Sequence, residues 1–190
     1  MMTRKRRPER PDRSPLLVVR TISAGSARGR LQLGALTWPC AIGRNGRGVH
    51  KREGDGQTPA GRFVLRQVLY RADRGRPPAT GLPRRVIRPN DGWCDESANR
   101  NYNRPVQHPY TASAERLWRD DRLYDVVVVL GYNEVPRVRG FGSAIFMHLA
   151  HGDVQASDFK PTAGCIALSR RDLGLVLARL TRGARVLVPA

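Results

Sequence analysis

The apolar run at residues 123–132, L-Y-D-V-V-V-V-L-G-Y, restricts the possible folds more than any other stretch. Consecutive valines favour an extended backbone, because β-branched side chains are more restricted in a helix than in a strand. The run shows no polar alternation, which is typical of a strand with both faces buried. The sequence therefore predicts a sheet that is covered on two sides.

Further strands and one helix are predicted around this run. Short apolar segments separated by turns lie at residues 16–22, 30–42, 62–70, 84–88, 143–150, 164–168 and 185–188. Ser169 as N-cap and Asp172 three residues later predict the start of a helix, and Gly183 would end it. Its apolar stripe comprises Leu173, Val176, Leu177 and Leu180. This order predicts a mainly β fold, a β-sandwich or barrel, with a flanking C-terminal helix.

The chain of 190 residues is long enough for one domain with a core. Residues 1–15 mix arginine, proline and acidic side chains and are predicted to form a basic disordered tail, with the domain at 16–190. The glycine-rich residues 43–61 are expected to form a mobile surface loop. Residues 89–121 are expected to form a long irregular lid in which only 112–119 resembles a helix.

The formal net charge is +18, and all but three of the 34 basic residues are arginine. Coding bias explains such a composition as readily as an anionic partner does. If the charge has a function, it attracts a polyanion: nucleic acid, an acidic membrane or an acidic cell-wall polymer. No segment interleaves basic with aromatic residues as an RNA-binding sheet does, so no nucleic-acid partner is expected.

No segment approaches the ~18 consecutive apolar residues of a membrane span. The N-terminus is positively charged, but the apolar residues 16–19 that follow are fewer than the ~7 of a signal-peptide core. The sequence therefore predicts neither a membrane span nor a signal peptide.

Cys165 and His148, seventeen residues apart, are the candidate nucleophile and base. An imidazole can take the proton of a thiol and later return it to a leaving amine. Gly164 permits a sharp turn in which nearby amides face a developing oxyanion. His148 should share a strand face with Phe146, whereas His151 follows the strand and should be solvated.

Several alternatives remain open from the residues alone. Cys165 is also consistent with a small buried hydrophobe, and His148 with a hydrogen-bonded core histidine. A zinc site with His151 as a further ligand would lack a fourth ligand, and no metal or cofactor is predicted. Cys40 and Cys94 could form a disulfide that leaves Cys165 free.

Several segments together resemble one known family. They are I-F-M-H-L-A and P-T-A-G-C-I-A-L around the candidate residues, then K-R-E-G-D-G-Q-T-P-A-G-R-F, D-G-W-C-D, N-Y-N-R-P-V and S-A-I-F-M-H. Over about 16–190 the chain resembles the L,D-transpeptidase catalytic domain family (YkuD-like). The resemblance implies a β-sandwich fold and a cysteine transpeptidase acting on the stem tetrapeptides of peptidoglycan. It also implies transfer to an acceptor amine and a location in the periplasm or cell envelope.

The same resemblance implies roles for individual residues. Cys165 would be acylated, with His148 as its base. The backbone carbonyl of Leu149 would orient the imidazole. Amides of Gly164 and Cys165 would contribute to the oxyanion hole, and Thr162 occupies the serine or threonine position of the motif.

Two positions depart from the family pattern. Ala163 stands where many members have a second histidine, and Ala167 where many have an arginine. Arg139 or Arg104 could replace that arginine as the anchor of the donor carboxylate. The alternatives in function are an L,D-carboxypeptidase or other cysteine peptidase and, in another class, a non-catalytic basic module that binds an anionic polymer.

Overall fold

Strands dominate the part of the chain that the structure, a computed structural model, describes: residues 14–151 and 159–190. The elements are β1 (Leu16–Thr21), β2 (Arg28–Leu33), β3 (Leu36–Ala41), β4 (Arg47–Gly48), β5 (Thr58–Pro59), β6 (Gly61–Tyr70), β7 (Arg84–Val86), β8 (Asp91–Cys94), β9 (Pro105–Gln107), β10 (Ala114–Arg116), β11 (Val126–Leu130), β12 (Phe146–Leu149), β13 (Ile166–Leu168), α1 (Arg170–Leu177) and β14 (Arg185–Val188). The predicted mainly β fold with a flanking C-terminal helix is confirmed.

Nine strands form one sheet in the order β11-β12-β13-β3-β2-β1-β14-β6-β7. Strand β11 also pairs with β6, so eight of these strands close into a ring and β7 pairs with β6 outside it. The two layers of the predicted sandwich are therefore continuous. Most neighbours are antiparallel, whereas β1 with β14, β6 with β7, and β12 with β13 run parallel. Closure pairs the backbone groups that an open sheet would leave at its edges.

Strand β11 is buried on both faces, as its valine run predicts. Val128 and Leu130 pack into the main hydrophobic core. Val127 and Val129, on the opposite face, pack into a second cluster that also contains Cys165. This second cluster lies under the candidate site.

Helix α1 begins where the cap predicts. The Asp172 N–H donates to Ser169 Oγ at 3.0 Å, and Leu173, Val176 and Leu177 are buried. The helix ends at Leu177, earlier than the predicted stop at Gly183, although Leu180 is buried as expected.

Most of residues 89–121 lacks regular structure, as expected of the lid, although the short strands β8, β9 and β10 within it form a three-stranded antiparallel sheet. One expectation within this segment is wrong. The segment 112–119 is not helical: Ala114 pairs with Cys94 and Glu115 with Trp93. An eight-residue helix has little stability of its own, whereas pairing with β8 satisfies backbone groups beside the buried Trp93.

The loop at 43–61 is anchored rather than free. Strands β4 and β5 pair within it, and the buried Thr58 side chain accepts a hydrogen bond from the Gly43 N–H at 2.9 Å. Glu53 accepts hydrogen bonds from the Tyr102 and Ser143 hydroxyls. The expectation that this loop is mobile is therefore wrong. Its residues Lys51, Glu53 and Gly54 form part of a cavity wall.

Cys40, Cys94 and Cys165 are all buried free thiols, so the disulfide left open by the sequence is not formed. No helix in the described ranges is long and apolar enough to cross a bilayer. The predicted basic tail falls almost wholly on residues 1–13, which lie outside the described residues.

Candidate active site

A cavity of about 620 Å³ lies beside the start of β13, and both Cys165 and His148 line it. Its wall comes from five parts of the chain that are distant in sequence: Asp95 and residues within 51–54, 115–124, 143–151 and 160–167. The three-stranded sheet and the anchored loop supply two of these walls.

The parallel pairing of β12 with β13 brings Cys165 and His148 to one face of the sheet. His148 lies directly opposite Ala167, and Cys165 precedes Ala167 by two residues. Alternate residues of a strand share a face, so the two side chains are diagonal neighbours. Strand spacing and rise place their Cα atoms roughly 8 Å apart. Ala167 puts only a methyl group beside the imidazole.

The Cys165 thiol contacts two backbone groups. Its Sγ lies 3.4 Å from the Ala144 carbonyl oxygen and 3.4 Å from the Phe146 nitrogen. The thiol therefore donates to the first and accepts from the second, and its side chain is 8% exposed. Transfer of its proton to His148 requires the thiol hydrogen to turn away from Ala144, a realignment typical of sites without substrate.

The turn before Cys165 requires glycine and is held by Thr162. Gly164 has φ +148°, and a Cβ there would lie 2.8 Å from the Gln57 carbonyl oxygen. Thr162 Oγ1 donates to the Cys165 carbonyl at 2.6 Å and accepts from the Gly164 N–H at 3.1 Å. The Gly164 amide, expected as an oxyanion donor, is thus already engaged. The Cys165 amide remains as the other expected donor.

The imidazole of His148 is held in one tautomer. Its Nδ1 lies 2.8 Å from the Leu149 carbonyl oxygen. A carbonyl only accepts, so Nδ1 carries the hydrogen and Nε2 keeps its lone pair for a proton. The Tyr124 ring packs edge-on against the imidazole with 5.2 Å between centroids. The arrangement suits a general base, the role that the sequence predicts for His148.

Burial keeps both groups neutral at rest. Desolvation raises the pKa of the Cys165 thiol to about 12, and the nearby charge of Glu115 raises it further. Desolvation lowers the pKa of His148 to about 4, against the hydrogen bond to Leu149. At neutral pH the pair is therefore a thiol and a neutral imidazole, not a thiolate–imidazolium ion pair. The thiol must lose its proton as it attacks.

The depressed pKa of His148 predicts a loss of stability in acid. Its ordinary value of 6.5 falls to about 4 in the folded chain, so between these pH values the unfolded chain binds a proton that the folded chain does not. The free energy of unfolding should fall as pH is lowered through this window, by about 3 kcal/mol in all. Urea titrations at pH 7, 5.5 and 4 on wild type and His148→Gln measure this. Parallel losses in both proteins would contradict it.

An acidic residue faces the same cavity. Glu115 Oε1 accepts a hydrogen bond from the Tyr124 hydroxyl at 2.5 Å. Arg119 Nη1 lies 3.7 Å from the same oxygen, but this arginine also pairs with Asp121 at 2.5 Å. Asp95 also lines the cavity, and its Oδ1 is buried without a partner in the described structure.

Asn103 connects the three-stranded sheet to the thiol. Its Oδ1 accepts from the Trp93 indole at 2.9 Å and from the Ala144 N–H at 3.1 Å. Its side-chain amide donates to the Tyr132 and Asn133 carbonyls. Asn103 therefore fixes Ala144, whose carbonyl receives the thiol hydrogen. The segment N-Y-N-R-P-V thus contributes to the site through the Asn103 side chain, which holds the backbone of Ala144.

The structure brings neither of the two predicted arginines to the cavity. Arg104 and Arg139 are exposed, and neither lines the cavity. Their expected role as donor anchors therefore has no support in the geometry. Instead two exposed cations, Arg116 and Lys160, line the cavity. His151 is exposed, as predicted, and lies at the cavity wall.

Sequence reasoning missed Glu115, Tyr124 and Lys51 as lining residues. Lys51 is 4% exposed, and its Nζ pairs with Asp55 at 2.5 Å. It lies in the segment K-R-E-G-D-G-Q-T-P, whose resemblance to the family was a usable indication. Glu115 and Tyr124 carry no local pattern. The pairing of β10 with β8 brings Glu115 to the cavity, and Tyr124 reaches it from the turn before β11.

The zinc alternative gains no support. In the described residues, no group of three or more histidine, cysteine, aspartate or glutamate side chains is placed to hold a metal ion.

Comparisons with known proteins identify one family. A family model described as the YkuD L,D-transpeptidase catalytic domain matches residues 27–188. Bd1075 of Bdellovibrio bacteriovorus is 13% identical, with a TM-score of 0.48 over 92% of this chain and 47% of that one. An L,D-transpeptidase from Mycobacterium smegmatis is 15% identical, with a TM-score of 0.42 over 93% and 59%. L,D-transpeptidase 1 of Mycobacterium tuberculosis is 13% identical, with a TM-score of 0.41 over 93% and 60%.

The chain therefore spans about half to three-fifths of the length of these solved structures. No curated protein sequence matches it.

Proposed function

Because the chain belongs to the YkuD family of L,D-transpeptidase catalytic domains, we propose that it is a cysteine acyltransferase acting on the stem tetrapeptides of peptidoglycan. One observation carries the proposal: Cys165 and His148 line the same cavity on one sheet face, with the imidazole held as a neutral base. The family match supplies the substrate class.

In the acylation step, His148 Nε2 takes the Cys165 proton as the sulfur attacks the carbonyl carbon of the L-to-D peptide bond. The Cys165 N–H stabilises the oxyanion of the tetrahedral intermediate. Collapse breaks the C–N bond, and the imidazolium returns its proton to the departing D-alanine amine. The product is a thioester on Cys165 and a neutral imidazole.

In the second step a neutral acceptor amine attacks the thioester carbon and gives one proton to His148 Nε2. The C–S bond then breaks, and His148 returns that proton to the Cys165 sulfur. Water in place of the amine would make the protein an L,D-carboxypeptidase, the nearer alternative. Both reactions share the acyl-enzyme, so they differ only in the acceptor.

The donor carboxylate needs a cation, because Ala167 leaves none at the usual position. We assign this role to Arg116 or Lys160, the exposed cations of the cavity wall. Peptidoglycan stem peptides lie in the periplasm and cell envelope, which supports that location for the protein.

The experiment combines intact-protein mass spectrometry with product analysis. Purified protein is incubated with a stem tetrapeptide, with and without Nα-acetyl-lysine as acceptor amine. The expected results are an adduct on Cys165 of the donor mass less D-alanine, and a new amide when the amine is present. Tripeptide alone in both incubations would identify the carboxypeptidase. A folded protein that gives no adduct, with the tetrapeptide or with a carbapenem, would contradict both.

The net charge of +18 favours the second candidate, a basic module that binds an anionic polymer. That function would appear as polymer binding that weakens steeply with salt and does not depend on Cys165. DNA and an anionic cell-wall polymer, titrated at two salt concentrations, distinguish it from acyl transfer.

A further inference from the structure

Glu115 is an unusual residue to find near a nucleophilic thiol. Its backbone pairs with Trp93 in the three-stranded sheet, which directs the side chain to the cavity. The side chain is 27% exposed. One oxygen accepts from Tyr124, and in the described part of the chain the other has no hydrogen-bond partner. A free carboxylate oxygen therefore lies on the wall of the cavity that contains Cys165.

This carboxylate opposes the first chemical step. Its negative charge raises the pKa of the Cys165 thiol and so disfavours the thiolate. Arg119 offsets this charge only in part, because its Nη1 lies 3.7 Å from Glu115 while its Nη2 pairs with Asp121 at 2.5 Å. Asp95 adds further negative charge. Desolvation raises the pKa of Glu115 itself, which makes it a stronger base than an ordinary carboxylate. A cationic occupant of the cavity would offset these costs.

We propose that Glu115 binds the ammonium group of the acyl acceptor and removes one of its protons. The inference rests on the proposed function, since it assumes a thioester on Cys165. An alkylamine is protonated at neutral pH and cannot attack until it becomes neutral. The carboxylate and its neighbour Asp95 attract the ammonium, and they discriminate against anionic acceptors.

The proton balance of transfer is then complete. The ammonium gives one proton to the Glu115 carboxylate, and the neutral amine attacks the thioester carbon. The C–N bond forms, and the second proton passes to His148 Nε2. The C–S bond breaks, and His148 returns that proton to the Cys165 sulfur. Glu115 releases its proton to solvent through the open cavity.

Tyr124 is a positioning residue in this scheme. Its hydroxyl holds Glu115 while its ring packs against His148. The two proton-accepting groups are thus fixed relative to each other by one side chain. Its own pKa lies well above the ordinary value because it is buried, so it stays a hydrogen-bond donor.

The test separates acylation from transfer in Glu115→Gln. Acylation by a stem tetrapeptide, followed by mass spectrometry, should become several-fold faster, because the charge that raises the pKa of the thiol is gone. Transfer from the preformed acyl-enzyme to Nα-acetyl-lysine should slow roughly 10²-fold. Transfer to hydroxylamine, which is largely uncharged at neutral pH, should keep most of its rate. Glu96→Gln, an exposed residue outside the cavity, is the matched control.

A merely structural role would slow acylation and both transfers together, and that result would overturn the inference. Equal transfer rates in wild type and Glu115→Gln would also overturn it. Should the variant fail to fold, Glu115→Asp keeps a carboxylate, and its defect should again be larger with Nα-acetyl-lysine than with hydroxylamine. Absence of an acyl adduct in wild type would contradict the proposed function itself. An adduct that forms normally, with equal transfer rates in both proteins, would contradict only the role of Glu115.

Discussion

Replacing Cys165 by alanine is expected to abolish acyl transfer, with a loss of at least about 10⁴-fold in the acylation rate. The reason is chemical: the variant has no atom to form the thioester, and His148 alone can only assist attack by water. The measurement is the mass shift on the intact protein after incubation with a stem tetrapeptide. The variant should show no shift.

Two other buried thiols provide matched controls for this experiment. Cys40 lies in the main core and Cys94 in β8, and neither lines the cavity. Cys40→Ala and Cys94→Ala should therefore keep the adduct if they remain folded. An adduct in Cys165→Ala, or its loss in a folded Cys40→Ala protein, would place the nucleophile elsewhere.

Replacing His148 by glutamine should lower the acylation rate by 10²- to 10⁴-fold, the usual effect of losing a general base. The thiol is neutral at rest, so no preformed thiolate can compensate. In wild type the acylation rate should fall only as pH drops through about 4, because the imidazole is neutral above that pKa. The measurement is the acylation rate from pH 3.5 to 8 in both proteins, with a circular dichroism check of folding.

His151 is the comparison residue for this result. It is exposed and follows β12 rather than belonging to it. His151→Gln should acylate at a rate close to that of wild type and keep the same pH dependence. A loss in His151→Gln as large as that in His148→Gln would show that the base had been assigned to the wrong histidine.

Local features of the sequence determined much of the fold. The valine run of β11 predicted burial on both faces, because its side chains leave no polar face for water. Ser169 and Asp172 predicted the first turn of α1, because a side-chain oxygen can satisfy an amide within the same few residues. Each inference depends on residues close together in the chain.

The position of Cys165 and His148 beside buried strands was predictable for a related reason. Cys165 and His148 each follow or occupy an apolar strand segment, and the surrounding segments resemble one family. Their common cavity wall agrees with the pairing that the sequence suggested. Their catalytic roles stay predictions until the experiments above are done.

The sequence by itself determined that this chain forms a mainly β domain with a capped helix and carries a thiol and an imidazole beside buried strands. Only the tertiary structure decided what surrounds that pair. Residues 112–119 form a strand because β8 offers them partners, and this pairing brings Glu115 to the cavity. The Asn103 side chain holds the distant Ala144 backbone, whose carbonyl receives the thiol hydrogen. Such contacts depend on pairing between distant segments, and no local pattern of residue types encodes them.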